Sequence, residues 1–185
     1  MANHPRPTPA HATRGHELHQ LACRLRGEFL TGTAWIEVLL TDIVSHYFCA
    51  QKRRRMFFFT EVAAGLSFRS KTSLLHKILK YEFPELLTKH PRLHERLDSF
   101  REFRNLLAHS HLDTSERSLA KRKPDEVLFV KYKAGKMSQV RVNAAEARRR
   151  ADEANQLRRE LLDLQRQFFR SDETSENDRQ KGLDA

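Results

Sequence analysis

The stretch from Leu93 to Ser110 constrains the fold of this chain more than any other. Leu93, Leu97, Phe100, Phe103 and Leu107 recur at three- and four-residue spacing, which is the period of a helix with one apolar face. At about 100° per residue these five side chains fall within an arc of about 120°, and Arg104 sits inside it, about 20° from Leu93. Asn105 and His109 lie together on another side, about 120° and 160° from Leu93. An arginine among leucines needs a hydrogen-bonded carboxylate, a solvated cleft or a second subunit, because a bare charge is costly to bury.

The segments around this helix also carry helical periodicity. From Gly15 to Phe48, Leu18, Leu21, Leu25 and Phe29 form one face, and Trp35, Leu39, Ile43 and Tyr47 continue it. A kink or short break is expected between these halves at Thr31-Gly32-Thr33. Glu37 and Asp42 lie beside this strip. Either can pair with Arg104 and set two helices in register, or both stay solvated at the helix edge. Thr60–Ala64 reads as a short helix ended by Gly65. Ser67–Lys80 reads as a longer one, capped by Ser67 or Ser70, with Leu74, Leu75, Ile78 and Leu79 facing inward. Pro91 or Arg92 opens the central helix.

Beyond Ser110 the pattern changes. His111 and Asp113 either extend a local polar site or are exposed at the helix exit, and Ser115–Pro124 reads as a polar loop. Asp125–Lys133 and Ser138–Val142 have strand composition and are joined through Ala134-Gly135-Lys136, which predicts a hairpin over about 126–142. A lone hairpin is marginal, so it must lie against helices or pair in a dimer. Asn143 followed by Glu146 has the form of a capping box. Ala147, Ala154, Leu161 and Phe168, with Leu157 and Leu164 between them, make a coiled-coil-like seam that docks along the bundle or pairs with another chain.

Only six glycines and six prolines occur in 185 residues, against 12 phenylalanines, a balance that favours helices over a sandwich. The expected fold class is all-α: a helical bundle with a small inserted β-hairpin and a long C-terminal helix. Residues 1–14 read as a disordered arm, 15–170 as one domain and 171–185 as a disordered acidic tail. His4, His11 and His16 are too scattered for a metal tract. Cys23 and Cys49 are expected as buried, reduced thiols with no metal-ligand spacing around them. The polar, proline-containing start is not an apolar signal segment, and no run reaches membrane-spanning length. The expectation is a cytoplasmic protein with no membrane partner.

The formal charge is +10. Residues 171–185 hold five carboxylates against two cations, a net of −3, so the rest of the chain is near +13. Such an excess attracts polyanions: an RNA, or an acidic protein partner. The densest basic run, Lys52-Arg53-Arg54-Arg55, abuts Met56-Phe57-Phe58-Phe59. Arg53, Arg54 and Arg55 are candidate phosphate contacts, as are Arg148, Arg149 and Arg150 in the last helix. The first run reads equally as a solvated loop, and the second more readily as a solvated face. The three phenylalanines are expected as core anchors, the alternative being an exposed stacking ring.

Arg104-Asn105-Leu106-Leu107-Ala108-His109 resembles the Arg-polar-x-x-x-His signature of HEPN domains, all-helical modules of microbial toxin–antitoxin and defence systems. Phe68 and Lys71 before a leucine-rich helix resemble a further element of that family, and the likeness covers roughly residues 15 to 170. It implies a two-fold homodimer with a composite, metal-independent ribonuclease site and no cofactor, with an antitoxin as a partner in some members. The chemistry of the residues agrees. Histidine exchanges protons near neutral pH, and arginine binds phosphate oxygens bidentately. His109 is therefore the candidate proton-transfer residue, Arg104 the phosphate clamp, and Asn105 a positioning group for the ribose or the imidazole. The competing reading is a non-catalytic dimeric module binding nucleic acid or protein. There, Arg104 forms an internal ion pair, Asn105 bonds within its helix and His109 caps carbonyls.

Overall fold

In a computed structural model, the backbone is described for residues 9–121, 123, 125–133 and 136–183, and side chains for 13–120, 123, 125–132 and 136–169. The chain is mostly helical with one small antiparallel sheet. It divides into two compact units, Met1–Thr31 with Glu102–Asp152, and Gly32–Arg101 with Glu153–Ala185. Three helices contribute to both: α1 (Pro9–Phe48), α5 (Leu93–His109) and α7 (Ala144–Leu183). The predicted arm and tail overlap these helices, from Pro9 at one end and to Leu183 at the other. Residues 1–8, with His4, lie outside the described residues, as do the side chains of His11 and of the acidic tail.

The first unit pairs helix ends with the sheet. Strand β1 (His111–Leu112) joins β2 (Glu126–Lys133), which joins β3 (Lys136–Asn143), all antiparallel. His111 is opposite Val130, and Val127 is opposite Val142. The predicted hairpin is therefore present, with its Ala134-Gly135 connection outside the described residues. Strand β1 is an addition that two residues cannot announce by pattern. Asp113 N–H donates to the Leu128 carbonyl at 2.9 Å and extends the pairing. Val127, Leu128, Phe129 and Val130 are all buried, so the central strand is covered on both faces. Leu18, Leu25, Phe29, Phe103 and Leu107 are buried in the same unit, with Phe29 edge-on to Phe103 at 4.8 Å. Where a polar loop is expected, Glu116–Lys121 forms the short helix α6, Leu119 buried.

The second unit is helical: the rest of α1, then α2 (Lys52–Phe57), a π-helix (Phe58–Ala63), α3 (Phe68–Glu82), α4 (Pro84–Lys89), the start of α5 and most of α7. Ser67 caps α3, its Oγ accepting from Ser70 N–H at 3.1 Å. The seam of α7 docks within its own chain: Ala154, Leu157, Leu161, Leu164 and Phe168 are buried, and Phe168 meets Phe83 edge-on at 4.6 Å.

Several expectations shift. Helix α1 runs without a break, and the Thr31 hydroxyl bonds the Gly27 carbonyl one turn back, a geometry that helices tolerate. The buried stripe of its second half includes Ile36, Leu40, Ile43 and Val44, while Trp35 is 58% exposed. Both cysteines are free, but Cys23 is exposed and Cys49 half-buried. Among the described residues no helix is long and apolar enough to cross a membrane.

The capping box is half-formed. Asn143 Oδ1 accepts Glu146 N–H at 2.7 Å, but the Glu146 carboxylate grips Arg149 and Arg150 at 2.7 and 2.9 Å. Asn143→Ala is expected to cost about 1 kcal/mol, the value of an N-cap, measured as a lower urea midpoint at unchanged slope.

A half-buried histidine pair lies between α3 and α5. His76 and His94 stack at 4.6 Å, and the Nδ1 atoms of both lack a hydrogen-bond partner among the described residues. Burial, then the neighbouring charges of His94 and Lys80, hold the His76 pKa below its ordinary value. Asp98 lies 3.9 Å from His94 on the other side. The folded chain thus binds fewer protons than the unfolded one as pH falls through the ordinary histidine range. Stability is expected to be full at pH 7.5 and to decline below about pH 6.5. Urea melts at several pH values should show a shallower decline for His76→Phe.

Candidate active site on the motif helix

Arg104, Asn105 and His109 all belong to the first unit, on the last turns of α5. The helix carries on through His109 because Phe103, Leu106 and Leu107 are buried and hold its inner face. Arg104 and Asn105 are half-buried and His109 is exposed. The Arg104 Nη1 atom donates to Asn105 Oδ1 at 3.0 Å. That bond fixes the guanidinium relative to the neighbouring amide and leaves the Asn105 NH2 as a donor. His109 lies five residues on, about 7.5 Å along the axis and about 140° around it. Of the carboxylates weighed for Arg104, Glu37 accepts Lys71 Nζ at 3.1 Å and Asp42 accepts from Gln165 Nε2.

The end of this helix is fixed by a residue that the sequence does not single out. Arg26, on α1, donates from Nη2 to the Ser110 carbonyl at 2.6 Å, and its guanidinium lies over the Phe129 ring at 5.0 Å. It satisfies a carbonyl left open at the C-terminus of α5 and ties the motif helix to the sheet. The buried Ser110 hydroxyl turns back to the Leu106 carbonyl. Arg26 is one polar residue among many on α1, and 84 positions separate it from Ser110, so no local pattern marks it. Two residues after His109, exposed His111 is anchored by β1, its ring 6.4 Å from Tyr132.

The two basic runs differ. Arg149 and Arg150 share Glu146, and Arg150 also lies over the Phe103 ring at 5.2 Å; Arg148 is exposed and has no such partner among the described residues. The Arg149 and Arg150 bonds, with their charges, hold the Glu146 carboxyl below its usual range. In the second unit Arg55 is half-buried and hydrogen-bonded to His46 Nδ1, whose ring packs on Phe169 at 3.9 Å. Arg53 and Arg54 are exposed, and Phe57, expected in the core, is 65% exposed.

No family model matches the chain, and neither a curated protein nor a solved structure matches it.

Proposed function

We propose that the chain is a metal-independent endoribonuclease that works as a homodimer and cleaves RNA by attack of the ribose 2′-hydroxyl. The observation that carries this reading is the state of the motif. His109 is solvent-accessible at the end of a fixed helix, and Arg104 is steadied by Asn105 on the preceding turns.

In the proposed reaction, one imidazole takes the 2′-hydroxyl proton as the 2′-oxygen bonds to phosphorus. The P–O5′ bond breaks, and a second imidazole protonates the leaving oxygen, giving a 2′,3′-cyclic phosphate and a 5′-hydroxyl. Arg104 offsets the charge growing on the phosphoryl oxygens. One copy offers a single motif imidazole, set well around the helix from Arg104, so the scheme calls for two motifs related by a two-fold axis. A role as toxin or defence effector in the cytoplasm follows from the HEPN resemblance and belongs to the same proposal.

The Arg104–Asn105 bond equally suits a second reading, a non-catalytic dimeric module in which the motif braces its own helix. Substrate chemistry separates the two. The protein should cut a single-stranded RNA in excess chelator and leave DNA of the same sequence intact. Cleavage of both strands, or loss of RNA cleavage in chelator, would contradict 2′-hydroxyl attack without a metal. Absence of cleavage by the folded dimer would leave the module.

A further inference from the structure

The second unit carries an exposed aromatic groove edged by arginines, away in sequence from the motif helix. Helix α2 passes directly into the π-helix, whose widened turn is closed by Ala64 N–H donating to the Phe59 carbonyl at 2.9 Å. Pi-helical turns are rare and cluster at functional sites. Cys49, Phe57, Phe58 and Val62 line a groove of about 630 Å³ whose edge holds Arg53 and Arg54. Phe58 is braced against Phe48 at 5.8 Å, whereas Phe57 is largely exposed. Arg53 and Phe57, four residues apart, share a face of the helix.

We infer that this groove binds single-stranded nucleic acid, with Phe57 as a stacking platform and Arg53 and Arg54 as phosphate contacts. Three observations favour that occupant. No described carboxylate lines the groove, and neither arginine forms an ion pair with a described residue, unlike Arg149 and Arg150. The exposed ring beside the cations offers a flat apolar face next to anion-binding groups, matching the alternation of bases and phosphates along a strand. A duplex hides its base faces, so only an unpaired strand can use the ring. The chain's charge of +10 supplies long-range attraction for the same ligand. The inference concerns binding alone and holds whichever reading of His109 is correct.

Fluorescence anisotropy with a labelled oligo(dT) of roughly 12 nucleotides tests it, since DNA is not a substrate for 2′-hydroxyl attack. Phe57→Ala should weaken binding about tenfold and Phe57→Trp should keep it, both with unchanged urea melts. Arg53→Ala with Arg54→Ala should lower the slope of log affinity against log salt by about 1.4, two phosphate contacts on a single strand. A duplex of the same length should bind more weakly and be insensitive to Phe57→Ala. Unchanged oligo(dT) affinity and slope in these variants would overturn the inference, whether or not Phe57→Ala alters self-association or capture of an acidic peptide.

Discussion

Glu37→Gln is expected to destabilise the chain by about 3 kcal/mol, whereas Lys71→Met should cost less than about 1.5 kcal/mol. The asymmetry follows from which partner is buried. Lys71 is 2% exposed and its Nζ sits 3.1 Å from Glu37 Oε1, while the Glu37 side chain is 31% exposed. Removing the carboxylate's charge strands an ammonium among Phe68, Leu75 and the other buried residues of α3. Replacing the lysine by methionine keeps the volume and leaves a carboxylate that water already reaches. The solvent access to Glu37 is why the loss is placed at the low end of the range for broken buried pairs. Urea melts of both single variants and the double variant read this directly. In the double variant Lys71→Met should recover part of the loss from Glu37→Gln. A Lys71→Met cost equal to that of Glu37→Gln would show that the ammonium itself stabilises the fold.

What could be read from sequence was what depends on local period. Leu93, Leu97, Phe100, Phe103 and Leu107 are all buried as their spacing predicts, Ser67 caps α3, and the α7 seam faces inward. What could not be read depends on which surfaces meet. Hydrophobicity places Trp35 and Phe57 inside, yet they are 58% and 65% exposed; charge places Lys71 outside, yet Glu37 permits its burial. Strand β1 exists because β2 offers it an edge, and two residues carry no period. That Arg104, Asn105 and His109 share a helix is legible from its period, but the role of Arg26 at the end of that helix arises from a contact between distant segments. Whether two motifs share one groove is decided by a second copy.

His109→Ala is expected to lower RNA cleavage by at least about 100-fold, the low end for loss of a proton-transferring side chain. Its stability cost should stay within about 0.5 kcal/mol, since His109 is exposed at the end of α5. Arg104→Ala should also abolish most cleavage but lower the urea midpoint further, because Arg104 is half-buried beside Phe103 and Leu107 and holds Asn105. A stable fold with lost turnover is therefore the mark of His109, and combined loss the mark of Arg104. The deciding measurement is the rate of cleavage, and the chemistry of the new ends, when wild type and His109→Ala at equal concentration act on one labelled single-stranded RNA in excess chelator. Cyclic phosphate ends from the wild type and their near absence with the variant are the predicted result; equal rates from the two proteins would contradict a catalytic imidazole at position 109.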